Sequence, residues 1–373
     1  MIAATLATNN GLQSALAMHG RQELRALTWW TVSLPLRSAI HHASAHEASI
    51  ESIVIAADFD GWVGHAEVRA NGSYATGETN DDIEAGFTNA VLLGSTVTDA
   101  TDSVILRSRL AAMAIDIAGW DALGRRLGKP VHQLLGSSAR QEVCTHAQIG
   151  FGDVETAAVL ASRFLRQGFT RLKVRVGAAD EQHDLARLRA IRDVGGPDIS
   201  LVADANGGWS EEQALAALPY LHGLGIDWLE QPVSETPSLA LITARQLVKV
   251  RADESVRGTE DVVRLANTGA VDGVHLKLEK SGTLSRLTEA IDAAQSRGLH
   301  VAIGQMDQGR LGCAATTQLA AGLGFPTAEL WGWAEVVTDV ADPLTVERGA
   351  VQVPQGPGLG VKVAPLKAPK GTL

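Results

Sequence analysis

The chain has 373 residues, 45% of them hydrophobic and 20% charged, which is typical of a globular protein with a large core. Its 32 Lys and Arg against 42 Asp and Glu give a net charge of −10 without a basic cluster, which argues against nucleic acid or an anionic membrane surface as partner. Cys144 and Cys313 lie far apart, so we expect no disulfide framework and a cytoplasmic protein. No apolar run is long enough to span a bilayer.

The first part of the chain predicts an extension followed by an α+β domain. Residues 1–21 lack the charged start and long apolar core of a signal peptide, and we interpret them as a poorly ordered extension outside the fold. Three segments with alternating hydrophobicity then predict strands, and a polar loop between the first two carries His41 and His42. Helical periodicity follows, so residues 22–140 predict an α+β domain.

From residue 141 the pattern changes to short apolar runs that alternate with helical stretches. A closed parallel barrel needs eight strands, so residues 141–335 predict a (β/α)8 barrel. We expect the Pro- and Gly-rich segment 336–373 to pack back on the N-terminal domain. The predicted barrel strands are 143–147, 171–176, 199–204, 228–230, 249–253, 273–278, 300–303 and 328–330.

Polar residues end five consecutive predicted strands: Lys173, Asp204, Glu230, Asp253 and Lys277, at intervals of 31, 26, 23 and 24 residues. The C-terminal ends of barrel strands converge on one mouth, where such barrels carry out their chemistry. Three carboxylates at one mouth repel one another unless a cation offsets their charge, and all-oxygen ligation suits Mg²⁺ or Mn²⁺ better than Zn²⁺. The sequence therefore predicts a metal site at Asp204, Glu230 and Asp253.

Two lysines are predicted to take part in catalysis. Lys173 and Lys277 belong to the second and sixth strands, which lie on opposite sides of an eight-stranded barrel. A divalent cation and other positive groups lower the pKa of a nearby lysine, so that it can act as a base. A metal that binds a substrate carboxylate stabilises the enediolate formed when the α-proton leaves.

Taken together, these motifs resemble those of the enolase superfamily, in particular its muconate-lactonizing-enzyme-like subgroup. The likeness covers the chain from residue 22 onward and includes AIDIAGWDALGRRLGKPVHQLLG, KVR, ADANGGW, EQP, ADES, HLKLEKSG and PQGPGLGV in family order. It implies a modified, enolase-like (β/α)8 barrel with an α+β capping domain completed by the C-terminal tail. It also implies Mg²⁺ held by Asp204, Glu230 and Asp253, Lys277 as acid/base, a small-molecule carboxylate substrate and a homo-oligomer.

Further residues are candidates for supporting roles, each against the alternative of an ordinary buried or solvated polar residue. Asn206 and Glu254 adjoin the metal-binding carboxylates and are predicted to support them. The candidates for substrate contact lie on the first barrel strand, after the seventh strand or in the loop that by resemblance covers the mouth: His146, Asp307, Gln308, His41 and His42.

The second barrel strand departs from the family pattern. Members usually carry Lys-x-Lys there, with the second lysine as base, whereas this chain reads Lys173-Val174-Arg175. Side chains two residues apart on a strand share a face, so Arg175 is expected to point into the pocket. A guanidinium stays protonated and is a poor proton acceptor, which places two-base racemisation in doubt. Either Arg175 binds the substrate carboxylate or stabilises the enediolate, or Lys173 changes role, or Lys277 works alone.

The predicted function is Mg²⁺-dependent abstraction of a proton α to a carboxylate, followed by isomerisation through the metal-stabilised enediolate. Cycloisomerisation and racemisation or epimerisation both remain open. The alternatives are a lyase, such as a dehydratase, that uses the same enediolate with one base, and a non-catalytic scaffold that has lost a base.

Overall fold

The computed structural model describes residues 6, 9–42, 45–70, 76–90, 93–136, 140–178 and 180–373. Its N-terminal part combines an antiparallel sheet with helices, as predicted for the capping domain. In chain order the elements are α1 (Asn10–Gly20), β1 (Leu24–His42), β2 (Ala45–Phe59), β3 (Trp62–Val68), α2 (Asn80–Ala90), α3 (Val97–Ile105), α4 (Arg109–Leu127) and α5 (Val131–Leu135).

Helix α1 belongs to the fold, so the prediction that residues 1–21 form an extension outside it is wrong for this helix. Its Leu12 and His19, seven residues apart, lie on one helical face and are both buried. The His19 ring stacks on Trp120 of α4 with centroids 4.2 Å apart. A few buried residues on one face are thus sufficient to pack α1 against the rest of the protein, although the sequence of this helix as a whole is not strongly apolar.

The hairpin of β1 and β2 is longer than predicted. After a register shift between Pro35 and Ile40, pairing continues through Ile40 with Glu47 and His41 with His46. The polar loop predicted here is therefore wrong, because a ladder of backbone hydrogen bonds does not require alternating apolar side chains. The side chains of His41 and His42 lie outside the described part of the chain.

The rest of the chain forms a curled parallel sheet surrounded by helices, followed by the C-terminal segment. Its elements are β4 (Glu142–Cys144), β5 (Ala147–Ile149), α6 (Val154–Arg166), β6 (Arg171–Arg175), α7 (Glu181–Gly195), β7 (Ser200–Asp204), α8 (Glu211–Gly223), β8 (Trp228–Glu230), α9 (Thr236–Thr243), β9 (Lys249–Ala252), α10 (Thr259–Asn267), β10 (Gly273–Lys277), α11 (Leu278–Ser281), α12 (Leu284–Gln295), β11 (His300–Gly304), α13 (Arg310–Gly322), a 3-10 turn (Trp333–Glu335), β12 (Val346–Glu347), β13 (Ala350–Gln352) and β14 (Gly371–Thr372).

The parallel sheet runs in the order β5 to β11, and a segment at 327–330 closes it. That segment makes single bridges, from Thr327 to Cys144 and from Glu329 to Gly304, instead of the full eighth strand that was predicted. The predicted first strand is also divided, because β4 pairs antiparallel with β13 while β5 pairs with β6. The barrel is thus closed by isolated contacts at the position of the eighth strand.

Helix α4 joins the two units. A Cβ at Gly64 on β3 would lie 1.9 Å from the carbonyl oxygen of Ala118, so only glycine lets the sheet approach α4 this closely. On the barrel side, Asp116 accepts a hydrogen bond from the backbone N–H of Leu284 at 3.0 Å. The C-terminal segment returns to the capping sheet, where β14 pairs with β1. Among the described helices, none is long and apolar enough to cross a membrane.

Candidate active site

The three predicted metal-binding carboxylates lie at the C-terminal ends of neighbouring barrel strands. Asp204 ends β7, Glu230 ends β8, and the two are paired directly in the sheet. Asp253 follows the last residue of β9. All three are at least 95% buried, at 1%, 0% and 5% exposure. The strand–helix repeat therefore brings them to one mouth of the barrel.

Lys173 lies among carboxylates. Its Nζ is 3.0 Å from Asp204 Oδ2, 2.9 Å from Glu230 Oε1 and 2.7 Å from Glu329 Oε2. Burial alone lowers the pKa of this amine, but the three carboxylates outweigh burial and raise the pKa above its ordinary value. The lowered pKa that we expected from the sequence depends on a bound cation and stays a prediction. In this geometry Lys173 is a fixed cation and a poor candidate for the base.

Lys277 lies at the end of β10, four strands from β6 around the barrel. Its Nζ is 2.7 Å from Asp253 Oδ2. Lys280 also pairs with Asp253, at 2.5 Å from Oδ1, and donates to its backbone carbonyl oxygen at 2.6 Å. Burial disfavours the charged Asp253, but Lys277, Lys280 and His275 hold the pKa of the carboxyl well below its usual range.

Glu230 is held by two residues that the sequence analysis missed. Arg251 donates to Glu230 Oε2 from Nη2 at 2.7 Å and from Nε at 3.0 Å. His275 Nδ1 lies 2.9 Å from Oε1. Against the effect of burial, Lys173, Arg251 and His275 keep the pKa of Glu230 well below its ordinary value. Alternation on the strands could have indicated both, because Arg251 lies two residues before Asp253 and His275 two before Lys277.

Arg175 is 7% exposed and points into the barrel. Its Nη1 donates to Asn206 Oδ1, and its Nε and Nη2 donate at 2.9 and 3.2 Å to the side-chain oxygen of Gln148 when that amide is oriented to satisfy its neighbours. Asn206 in turn donates from Nδ2 to Asp204 at 3.3 Å and to Glu254 at 2.9 Å. Asn206 thus links Arg175 to two acidic residues of the predicted metal site.

Glu254 lies beside other carboxylates whose negative charge is not fully balanced. Its Oε2 is buried without a hydrogen-bond partner among the described residues. Burial, Asp253 and Asp204 raise the pKa of Glu254 to about 8, because carboxylates crowd together there. An all-oxygen donor set in which negative charges repel is suited to Mg²⁺, so Asp204, Glu230 and Asp253 fit that ion.

A second arrangement of possible ligands includes Glu230, His275 and Glu329, whose donor atoms lie within 4.8 Å of one another. The ammonium of Lys173 already lies 2.9 Å from Glu230 Oε1 and 2.7 Å from Glu329 Oε2. The carboxylates at the strand ends are likewise paired with lysines, so the pairing with Lys173 does not distinguish the two arrangements. The all-oxygen donor set is the one that suits Mg²⁺, and Asp204, Glu230 and Asp253 stay the predicted metal site.

The predicted substrate contacts occupy different surroundings. His146 is half-buried in the barrel interior, where desolvation lowers its pKa to about 4, and its buried Nε2 has no partner among the described residues. Asp307 is half-buried, and its backbone carbonyl accepts from Arg69 of the capping domain at 2.9 Å. Gln308 is 1% exposed and its side chain packs against Gly312 at the start of α13. Their contact with substrate stays a prediction.

Comparison with known proteins identifies the family. Residues 24–136 match the mandelate racemase / muconate lactonizing enzyme N-terminal domain, and residues 155–367 match the enolase C-terminal domain-like family. The chain is 27% identical over 356 residues to the N-succinyl-L-Arg/Lys racemase of Bacillus cereus, which covers 91% of this chain and 95% of the racemase. It is 32% identical over 302 residues to muconate cycloisomerase 1 of Rhodococcus opacus, and this match covers 77% of this chain and 80% of the cycloisomerase.

The structure agrees with these sequence matches. It resembles a substrate-liganded complex of the L-Ala-D/L-Glu epimerase from Bacillus subtilis with a TM-score of 0.86 and 27% identity, over 92% of this chain and all of that one. The predicted barrel fold with its capping domain and the predicted isomerase class are confirmed by these relatives, which are racemases, epimerases and cycloisomerases. The chain therefore belongs to the mandelate racemase / muconate lactonizing enzyme family and is an enzyme of the enolase superfamily.

Proposed function

We propose that this enzyme removes the proton α to the carboxylate of a small substrate with one base, Lys277, and that the reaction is a cycloisomerisation. The observation that carries the proposal is the replacement of the second lysine by Arg175, combined with the three carboxylates that keep Lys173 charged. Asp204, Glu230 and Asp253 would hold the Mg²⁺ ion. When bound, the ion would offset the negative charge of the substrate carboxylate and of the enediolate that follows proton loss.

Lys277 has the position required of the base. It shares a face of β10 with His275, is 5% exposed and reaches the carboxylate group at Asp253. A substrate carboxylate placed at the metal-binding residues would therefore present its α-carbon close to the Lys277 amine. Lys277 pairs with one carboxylate, Asp253, whereas Lys173 contacts three carboxylates. Lys280 donates to Asp253 Oδ1 and to the backbone carbonyl oxygens of Asp253 and His275, so we assign Lys173 and Lys280 to charge balance.

Arg175 has a different role from a base. The strands β6 and β10 lie four positions apart in the barrel, so Arg175 and Lys277 belong to opposite walls. A guanidinium donates hydrogen bonds to oxyanions but accepts a proton poorly. We assign Arg175 to binding an anionic group of the substrate on the face away from Lys277.

A single base favours reactions in which the proton leaves and returns on one face. In a cycloisomerisation, Lys277 takes the α-proton, the C–H electron pair forms a carbon–carbon double bond, and an internal carboxylate leaves the β-carbon as its C–O bond breaks. In the reverse direction, that carboxylate adds to the double bond and Lys277 returns the proton. The proton that Lys277 takes passes to solvent when the ring opens and is drawn from solvent when it closes, and no other co-reactant is needed.

Epimerisation is the second candidate, favoured by the racemase that matches 91% of this chain. It requires a second group that both accepts and donates a proton on the Arg175 side of the substrate. A lyase would use the same single base but release its leaving group. Both alternatives predict products that differ from those of a cycloisomerase.

The test is incubation with Mg²⁺ in D₂O of unsaturated dicarboxylates, the corresponding lactones, N-acyl amino acids and dipeptides, followed by mass spectrometry and chiral separation. We expect interconversion of a diacid and its lactone, with deuterium on one face. Lys277→Ala is expected to abolish the reaction, and Lys367→Ala, an exposed lysine of the C-terminal segment, serves as the matched control. Inversion of an α-carbon would replace the proposal with epimerisation, and release of water or another group would replace it with a lyase.

A further inference from the structure

A cavity of about 650 Å³ opens at the N-terminal mouth of the barrel, opposite the active-site end. Its volume lies within the range of small-molecule pockets, about 300–1,000 Å³. The proposed reaction does not use this end of the barrel, since its carboxylates lie at the other ends of the strands. The first residues of five barrel strands line the cavity: Arg171, Ser200, Trp228, Lys249 and His300.

Arg251 presents hydrogen-bond donors to this cavity from a buried position. Its side chain is 9% exposed and lines the cavity wall. One N–H at Nε and one at Nη2 are taken by Glu230. A guanidinium has five N–H groups, so three remain, and among the described residues they have no partner. A buried cation with unused donors is expected to bind an anion that enters the cavity.

Two further cations lie on the rim. Arg171 and Lys249 are exposed, and neither makes an ion pair with another described residue. The Trp228 ring lies beside two of the cations, with Lys249 Nζ 5.6 Å and Arg251 Cζ 5.3 Å from its centroid. Burial, and then the charges of Arg251, Lys249 and Arg171, lower the pKa of His300, which is consistent with three cations facing one space.

Two carboxylates, Asp198 and Asp227, also line the cavity. Asp227 Oδ2 already accepts hydrogen bonds from Ser200 Oγ at 2.7 Å and from the backbone N–H of Leu201 at 3.0 Å. Arg171 and Lys249 thus match the two carboxylates in number, and Arg251 adds a third cation whose charge is shared with Glu230. The N–H groups of Arg251 that do not donate to Glu230 are therefore available to bind an anion in this cavity.

We propose that this cavity binds a small polyvalent oxyanion, either phosphate or a dicarboxylate, through Arg171, Lys249 and the unused N–H groups of Arg251. Both ligands offer several oxygens with more than one negative charge, which is the chemistry that guanidinium and ammonium groups recognise. The cavity is accordingly a second binding site, which opens at the opposite end of the barrel from the catalytic mouth.

Arg251 connects the second site to the first. The same guanidinium that faces the cavity donates to Glu230, one of the proposed Mg²⁺ ligands. An anion at Arg251 draws part of this positive charge away from Glu230 and leaves the carboxylate more strongly attractive to a cation. Binding linkage then requires that Mg²⁺ strengthen anion binding by the same factor. This coupling rests on the proposed metal site, whereas anion binding does not.

The primary test is isothermal titration of the metal-free, full-length protein with phosphate and, separately, with succinate. We expect one bound anion per chain. The anion that binds more tightly, phosphate or succinate, identifies the class of ligand. The double variant Arg171→Met/Lys249→Met is expected to weaken binding at least about ten-fold. Lys367→Met, which removes an exposed lysine of the C-terminal segment, should leave binding unchanged.

A charge-conserving variant distinguishes a loss of anion binding from a loss of folding. Arg171→Lys/Lys249→Arg keeps both cations and is expected to retain anion binding, with circular dichroism confirming that each variant is folded. Equal binding by the wild type and the Met double variant would overturn the proposal. The absence of saturable binding of either anion at about 10 mM would overturn it as well.

The coupling has its own measurement. Mg²⁺ is titrated with and without the tighter anion into the wild type and the Met double variant, so that weak association of the anion with Mg²⁺ in solution affects both alike. We expect a lower Kd for Mg²⁺ with anion in the wild type alone. The same Kd in both conditions would refute the coupling. Because anion binding is measured without metal, its failure is distinguishable from failure of the proposed function.

Discussion

Replacing Arg175 with lysine is expected to open the second face of the substrate to proton exchange. An ordinary lysine has a pKa of about 10.4 and a guanidinium one of at least about 12.5, so at a given pH the lysine is about 100-fold more often neutral. A positioned acid/base group contributes about 10²–10⁴-fold to rate. We therefore expect exchange on the second face to rise at least about 100-fold.

The same substitution has a cost in stability that follows from the contacts of Arg175. The guanidinium donates to Gln148 at 2.9 and 3.2 Å and also donates to Asn206. A single ammonium cannot replace all these bonds in the same geometry. A hydrogen bond to a charged group contributes about 1.5–3 kcal/mol, so the free energy of unfolding should fall by about that amount.

The assay is deuterium uptake into a chiral substrate in D₂O, with the two faces distinguished by chiral separation. Arg175→Met is the matched control, because it removes the guanidinium without supplying an amine, and it is expected to show no exchange on the second face. Equal exchange by the Lys and Met variants would refute the reasoning. Exchange on both faces by the wild type would show that a second acid/base already exists.

Three further predictions address the network, the metal and the interface between domains. Lys173→Met is expected to lower the free energy of unfolding by about 3–5 kcal/mol, because buried carboxylates lose their partner. Adding Glu329→Gln should recover part of this loss in urea titrations, and simply additive losses would contradict a shared network. Asp253→Asn is expected to weaken Mg²⁺ binding at least about ten-fold in calorimetry, and unchanged affinity would remove Asp253 from the site. Burial and the nearby Asp339 raise the pKa of Glu67 from 4.5 to about 7. The stabilisation from Glu67 is therefore complete below about pH 4.5 and is lost as the pH rises through about 7, a change of about 3 kcal/mol. Glu67→Gln should remove this dependence of the urea midpoint on pH between about pH 4.5 and 7, and an unchanged slope would count against this assignment.

Glu67 also shows how the capping domain can influence the barrel mouth. Its carboxylate accepts backbone hydrogen bonds from Gly309 at 2.6 Å and Gly312 at 3.1 Å, at the start of α13. The neighbouring Arg69 donates to the backbone of Asp307. Strand β3 thus holds the segment after β11, which includes two predicted substrate contacts. A change in the protonation of Glu67 is expected to alter how firmly this segment is held.

The positions of the three carboxylates proposed to bind Mg²⁺ could be predicted from the sequence, because a repeating strand–helix unit places each strand end at the same level. Asp204, Glu230 and Asp253 each follow a recognisable apolar run. Glu329 lies within the predicted eighth strand, 328–330, but it was not singled out, because no motif marks this segment, which isolated bridges hold in the barrel. The contact between Lys173 and Glu329 was therefore not anticipated.

The order of the domains, the barrel and the three carboxylates were thus determined by the sequence alone, through local periodicity and the spacing of polar residues. The replacement of a lysine by Arg175 was equally visible there. Only the tertiary structure decided which charges meet: Lys173 with Glu329, 156 residues away, and Arg251 with both Glu230 and the opposite cavity. Closure of the barrel creates these pairs, and contacts between distant strands leave no periodic trace in the chain.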